Sequence, residues 1–305
     1  MRLVSVVIGT YNGASYIKEQ LDSILAQTYS PLEIIIVDDA SKDNTVAILQ
    51  DYSQKYNNIK VYDFKTNVGY IKNFERGIAL TKGKHIALSD QDDWWMPTKI
   101  EALMNNINHY ELVYCDSDFV DADLKLMGNR FSNVKNLVSI DTPINLLIDN
   151  CVSGHASLFK KSLFEKAIPF PENIPHDWWL AYVASLEEGI LYVDEPLVKY
   201  RHHQHNVIAS AKKNKKDKSK KRSKRQKFEK RKLRIKTFYA KCPDHLKQEK
   251  KLILKIKKSY HSFSLPNNLN RVFLFYSNRK ELLKILKRSN FSKIVYILNM
   301  FFRIK

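Results

Sequence analysis

Carboxylates cluster at three places in this chain: Asp38-Asp39, Asp90-Gln91-Asp92-Asp93, and Asp177 between His176 and Trp178-Trp179. Alternate residues of an extended segment share a face, so Asp90 and Asp92 point together while Gln91 points away. Such a pair holds a hard divalent cation and leaves coordination positions open for phosphate oxygens. A carboxylate like Asp177 can take the proton of an attacking hydroxyl. It can also cap a helix beginning at Trp178, and a capping Asp keeps a second oxygen free, so the two roles are compatible. Asp43 reads as the N-cap of the helix that follows it. Asp93 reads as a cap for the helix after Pro97, or as a residue that orders the loop. Three histidines crowd at His202, His203 and His205, where a neutral imidazole suits metal binding, although lone histidines are more often structural. The chain has no G-x-x-x-x-G-K-[ST] and no G-x-G-x-x-G, which argues against P-loop and Rossmann cofactor chemistry.

Those acidic groups need a scaffold, and the first hundred residues alternate between two periodicities. Residues 3–8 and 33–37 read as buried strands, with further strands at 59–63 and 84–89. Between them, helical spacing occurs over 14–27, after Asp43, and over 70–81. This order implies right-handed crossovers and an α/β, doubly wound, mostly parallel sheet flanked by helices. Ligands of such sheets bind beyond the carboxyl ends of the strands. Thr10-Tyr11-Asn12, Asp38-Asp39 and Asp90–Asp93 all fall there. A strand at 112–115, a polar hairpin or loop at 118–128, a turn and strand in 151–160, a helix near 177–187 and strands near 190–193 and 197–201 follow. Residues 1–110 thus read as a nucleotide-binding half, and 111–210 as an acceptor-binding and catalytic half of the same domain.

The segments VSVVIGTYNG (4–13), IIIVDDASKDNT (34–45), NVGYIKNFERGIAL (67–80) and HIALSDQDDWWMP (85–97) together resemble glycosyltransferase family 2. The resemblance continues through VSGHASLF (152–159), PHDWWL (175–180) and YRHHQHN (200–206), about two-thirds of the chain. In flavour it looks like the bacterial rhamnosyltransferase-like enzymes of surface-polysaccharide synthesis. It implies a GT-A fold and an inverting transfer, with Mn2+ or Mg2+ as cofactor. Asp177 matches the family's catalytic base. Asp92 matches the metal ligand, Asp90 a residue on ribose or metal-bound water, and His203 a third ligand. Asp39 matches the carboxylate that accepts from a pyrimidine imide. Thr10, Tyr11 and Asn12 match contacts to base, ribose or phosphate, and Asn67, Gly69 and Asn73 a segment closing over the nucleotide. Gly69 also suits a left-handed turn. Arg201 is expected to pair with a carboxylate or the diphosphate. Gly154, His155 and Trp178 are expected to line the acceptor cleft, Trp178 offering a flat face for a sugar. The implied donor is dTDP-rhamnose, or a UDP-hexose, and the implied acceptor a lipid-linked glycan.

Charge is divided unevenly. Residues 1–211 hold 19 Lys and Arg against 27 Asp and Glu, whereas 212–305 hold 32 against 5. The run 212–236 contains 16 basic residues, with only Asp217 and Glu229 opposing them, and its first half has no apolar stripe. That half reads as disordered or as a solvated helix. Residues 228–262 read as basic amphipathic helix broken near Pro243. Phe291–Ile304 suits a helix lying in a membrane interface. No stretch approaches the roughly 20 apolar residues of a span. Three separated cysteines and no signal-peptide pattern indicate a reducing compartment. The expected location is cytoplasmic, peripheral on the inner face of the plasma membrane, with 211–305 as a helical membrane-associating tail. Packing of the tail on the acidic domain is the plainer alternative. Nucleic acid is disfavoured as a partner, because 212–227 lacks aromatic residues. A reading from another class is a catalytically inactive GT-A-like scaffold whose basic tail binds membrane or nucleic acid. Retention of Asp39, Asp92 and Asp177 argues for the enzyme.

Overall fold

The computed structural model describes residues 2–203 and 224–302. His205 and the basic run 212–223 lie outside the described residues. The β-branched runs of β1 (Val4–Thr10) and β2 (Leu32–Asp39) form parallel central strands, with β3 (Ile59–Phe64) and β4 (His85–Ser89) beside them in the order β3-β2-β1-β4. Alternation sends Val6, Ile8, Ile34 and Ile36 to one face, where α1 (Ile17–Leu25) and α2 (Thr45–Lys55) cover them with Ile17, Leu21, Ile48 and Leu49. Val7, Ile35 and Val37 go to the other face, beneath Phe74 and Ile78 of α3 (Tyr70–Ala79). The sheet is therefore doubly wound, as the periodicities imply. Asp43 sits one residue further from its helix than expected. α2 begins at Thr45 after Asn44, and Asp43 Oδ1 accepts from the Thr45 amide instead of acting as the cap residue.

The second half adds β5 (Trp94–Trp95), α4 (Lys99–Ile107), β6 (Leu112–Val120), β7 (Leu126–Arg130), α5 (Phe131–Val134), β8 (Ser157–Lys160), α6 (Lys161–Ala167), α7 (His176–Ala184) and β9 (Ile190–Arg201). It extends the same sheet as β4-β8-β6-β9-β5, with β7 hairpinned onto β6. β8 runs antiparallel to both neighbours, while β9 is parallel to β6. The pattern reads as two strands near 190–193 and 197–201, but β9 is one strand. Asp194 and Glu195 break its apolar pattern without ending it, because a shift in register opposite Cys115–Ser117 absorbs the extra residues.

The tail folds into α8 (Lys224–Lys241), α9 (Lys247–Ser259), α10 (Leu265–Ser277), α11 (Arg279–Leu282) and α12 (Asn290–Phe302). The break near Pro243 and the terminal helix match expectation. α10 departs from the local pattern: Pro266 and two asparagines resemble a loop, yet Pro266 occupies the first turn, where a missing N–H costs nothing. These helices are not an appendage. Ile235, Phe238, Ile253, Ile256 and Phe275 are buried in the same core as Trp179 and Tyr182 of α7, and the Tyr182 hydroxyl donates to the Phe238 carbonyl at 2.8 Å. Among the described residues, no helix is long and apolar enough to cross a membrane.

Candidate active site

The loop after β1 is pinned from two sides. Gln91 clamps the Tyr11 backbone, accepting from its N–H at 2.8 Å and donating to its carbonyl at 3.1 Å. Gly13 is required here, since a Cβ would fall 2.3 Å from Gln91 Oε1. Asn12, at φ 51°, accepts from Lys42 N–H through its side chain. Thr10 donates to Asp38 at 2.8 Å and is 1% exposed. Thr10 and Asn12 therefore shape the loop with their side chains, while Tyr11, 47% exposed, offers an aromatic surface.

Asp39 is similarly committed. Its carboxylate accepts from the Val68 and Gly69 amides, each at 2.8 Å, and from Arg76 at 2.9 Å. Three donors leave little capacity for a base, and its side chain is only 4% exposed. Asn67 donates to the Asp39 carbonyl at 2.9 Å, and Gly69 holds φ +79° with open space where a Cβ would stand. Its requirement for glycine is thus conformational. Asn73 is buried, bonded to the Val37 carbonyl and to Arg76. Asp39, Asn67, Gly69 and Asn73 together build one edge of the cleft, with Asn73 on the inside of the wall.

After β4 the carboxylates separate into two groups, and Asp90 and Asp92 are not paired by strand alternation as expected, because Gln91 and Asp92 form a turn and not extended backbone. Asp92 Oδ2 lies 2.8 Å from His203 Nε2, a pairing of residues 111 positions apart. The neighbouring His202 packs instead against Phe119 and Tyr200. Asp90, Asp93 and His155 form the second group, with possible ligand atoms all within 4.8 Å of one another. Asp93 is fully buried and is not a helix cap, for α4 begins six residues later behind Thr98. Its Oδ1 accepts from the Arg201 amide at 3.1 Å, while its Oδ2 has no hydrogen-bond partner among the described residues and faces His155 Nδ1 at 3.6 Å. Burial pushes its carboxyl up to about 7, against the opposing charge of His155 and with Asp92 and Asp90 adding to the rise. At Asp90 burial acts upward too, but the bond and charge of His155 outweigh it and hold that carboxyl below its ordinary range.

Behind these groups stand three buried residues, Arg201, Lys99 and His155. Arg201 pairs with Glu19 at 2.5 Å and donates to the Asp92 carbonyl at 2.9 Å, tying β9 and α1 to the acidic loop. Lys99 is fully buried, donating to the His155 carbonyl at 2.5 Å, and burial pulls its ammonium down to about 7. His155, expected at the acceptor cleft, is 5% exposed and faces Asp90 and Asp93 at 3.5 and 3.6 Å. Carboxylate oxygens with one imidazole, and a buried oxygen lacking any donor, fit a divalent ion of the Mn2+ or Mg2+ kind.

Asp177 lies one residue inside α7, which starts at His176, so it does not cap a helix at Trp178. One oxygen accepts from the Trp178 amide at 2.6 Å, and the other has no hydrogen-bond partner among the described residues. Burial raises its pKa, opposed by His176, while the charge of Asp90 adds to the rise. The Gly154–His155 segment brings the two together: a Cβ on Gly154 would lie 3.7 Å from Asp177 Cβ, and His155 faces Asp90 at 3.5 Å. Gly154 completes the approach: a Cβ there would stand 2.9 Å from His176 Nε2. Trp178 turns toward the tail. Its indole N–H donates to the Leu146 carbonyl at 2.8 Å, and Arg234 of α8 lies 3.9 Å above its ring.

The chain matches the model of glycosyl transferase family 2 over residues 5–167. Among curated relatives, uncharacterized glycosyltransferases of Rickettsia prowazekii and Rickettsia typhi are each 34% identical, over 66% of this chain and 64% of their own length. An uncharacterized glycosyltransferase of Haemophilus influenzae is 30% identical over 66% of both chains. The chain thus spans a little under two-thirds of the Rickettsia relatives. Its fold resembles S. aureus TarS 1-349 in complex with UDP-GlcNAc (TM-score 0.64, 19% identity, 92% of this chain and 82% of that one). It also resembles the mannosyltransferase PcManGT of Pyrobaculum calidifontis in complex with GDP-Man and Mn2+ (TM-score 0.55, 16% identity, 99% and 85%). With more than half its length matched by the family model and a GT-A architecture around the acidic cleft, the chain belongs to glycosyl transferase family 2.

Proposed function

We propose that this chain is an inverting, metal-dependent hexosyltransferase that moves a sugar from a nucleotide-sugar donor to a lipid-linked glycan acceptor in cell-surface polysaccharide synthesis. The observation that carries the reading is Asp177, half-buried, with one oxygen held by the Trp178 amide and the Gly154–His155 segment between it and Asp90. An acceptor hydroxyl is a poor nucleophile, so a placed carboxylate must take its proton during attack on the anomeric carbon. Asp177 does this from its unengaged oxygen, while the Trp178 amide fixes the other. Asp90 would hold the Mn2+ or Mg2+ together with the Asp92–His203 pair that the resemblance implies, and with Asp93 and His155 behind it. When bound, that ion neutralises the departing diphosphate. Tyr11 and the Asn67–Gly69 edge flank the nucleotide. The donor proposed first is dTDP-rhamnose, then UDP-hexoses. UDP-GlcNAc and GDP-Man bound to the two structural neighbours support a nucleotide-sugar site of this general kind. The proposed location is the cytoplasmic face of the membrane, through the basic tail.

The test is donor hydrolysis and glycan transfer with Mn2+ or Mg2+, over a panel of nucleotide sugars. Asp177→Asn should lower turnover about 10²- to 10⁴-fold, the usual contribution of a general base, with donor affinity retained. Turnover equal to wild type removes Asp177 from this role. A wild-type protein that folds, yet neither binds nor turns over any donor, indicates the inactive scaffold instead.

A further inference from the structure

Two helices of the tail leave large apolar side chains in water. On α10 these are Leu265 (60% exposed), Leu269 (54%), Phe273 (67%) and Tyr276 (49%), spaced i, i+4, i+8 and i+11. On α12 they are Phe291 (77%), Val295 (39%) and Leu298 (49%), at i, i+4 and i+7. Each set is one stripe of a helix, opposite a stripe that is already used: Leu274 and Phe275 of α10, and Tyr296, Ile297 and Met300 of α12, are buried in the core. The helices pack against each other, so the two stripes belong to one helix pair. Exposed apolar stripes of this size mark an interaction site, because soluble surfaces rarely sustain them.

The charge beside the stripes decides the partner. Lys280 follows α10, and Lys287 and Arg288 precede α12; all three are exposed. They belong to a segment with 32 basic and 5 acidic residues. A second copy of this chain would bring two such surfaces together, a juxtaposition of like charge that disfavours association. An anionic lipid leaflet offers both the apolar medium and the opposite charge. Each helix has 13 residues, about 20 Å long at the α-helical rise, against a hydrocarbon core of about 30 Å. They can lie in the interface and cannot cross it.

We infer that α10 and α12 form a two-helix platform that docks on an anionic bilayer, with Phe273 and Phe291 as its inserting aromatics. This deepens the membrane-face reading above, replacing a terminal helix acting alone with a preformed surface to which α10 contributes half. The platform is continuous with the core around Trp179 and Tyr182, so docking would hold the Asp177 cleft at a set orientation to the leaflet, as suits a lipid-linked acceptor.

The experiment is flotation of the full chain with phosphatidylcholine vesicles, with and without phosphatidylglycerol. It compares wild type, the double variant Phe273→Glu/Phe291→Glu, and Asp177→Asn. Both aromatics are solvent-exposed, so unchanged circular dichroism and melting temperature should certify the fold. Wild type and Asp177→Asn should bind anionic vesicles alike. The double variant should bind at least about tenfold more weakly, the change expected from losing one large apolar side chain's burial, with donor hydrolysis in solution unaltered. Vesicle binding undiminished in the double variant overturns the platform. So does light scattering that finds wild type dimeric and the double variant monomeric, which assigns the face to a second copy. Catalytic failure would show only in the hydrolysis assay, so the two readings fall separately.

Discussion

At the scale of single residues, the cleft depends on contacts too close to tolerate an added methyl. Gly154 lies against His176, and that imidazole cannot readily retreat, being stacked on Phe74 with centroids 4.3 Å apart. Gly154→Ala should therefore displace His176 and the adjoining Asp177. Overpacking costs about 1–3 kcal/mol, and small displacements of a base cost catalysis heavily. A melting temperature lower by a few degrees, with kcat reduced about tenfold or more, is the expected result of calorimetry and steady-state kinetics. His176 itself illustrates how little sequence discloses about burial. It reads as part of a motif, yet it is 7% exposed with neither ring nitrogen hydrogen-bonded among the described residues, and burial lowers its pKa against the charges of Asp177 and Asp90.

At the scale of elements, the parallel half is stitched by carboxylates that bridge strands and turns. Glu33 on β2 accepts from Ser5 Oγ on β1 at 2.5 Å and from the Lys82 and Gly83 amides before β4. Burial favours protonation of Glu33, but those bonds outweigh it and leave the folded pKa below the ordinary 4.5. A depressed carboxyl stabilises the fold above the unfolded value and loses that contribution as pH falls through the folded value. Glu33→Gln should therefore lower stability at neutral pH and flatten its decline below about 4.5 in melting curves recorded against pH. An acid limb for Glu33→Gln that overlays the wild-type one would contradict the bridge. Asp39 plays a comparable part between β2 and the Asn67–Gly69 edge, which is why a residue expected to meet a nucleobase is found holding backbone amides.

At the scale of the whole molecule, tail and catalytic half share one interior. Phe238 of α8 stacks on Tyr182 of α7 with centroids 3.9 Å apart, and Arg234 covers Trp178 beside the base. Truncation after residue 210 should accordingly do more than remove a membrane contact. It would uncover Trp179 and Tyr182, now 4% and 0% exposed, and large aromatics each contribute several kcal/mol when buried. The shortened chain is expected to melt well below the full chain or to aggregate, as calorimetry and size-exclusion chromatography would show. A truncated chain as stable as the full one would mean that the tail only rests on the surface.

Local pattern alone carried the parallel half, the acidic residues after β1, β2 and β4, and the charge division at the tail. Strand and helix periodicities are short-range properties, and a strand's carboxyl end is where a doubly wound sheet opens to ligand. Tertiary structure alone decided the rest: that His155 backs Asp90 and Asp93, that Lys99 is buried, that Trp178 faces the tail, and that α10 and α12 each bare an apolar stripe. These are contacts between segments far apart in the chain. Periodicity tells which face of an element is covered, while the partner that covers it is chosen only when the whole chain packs.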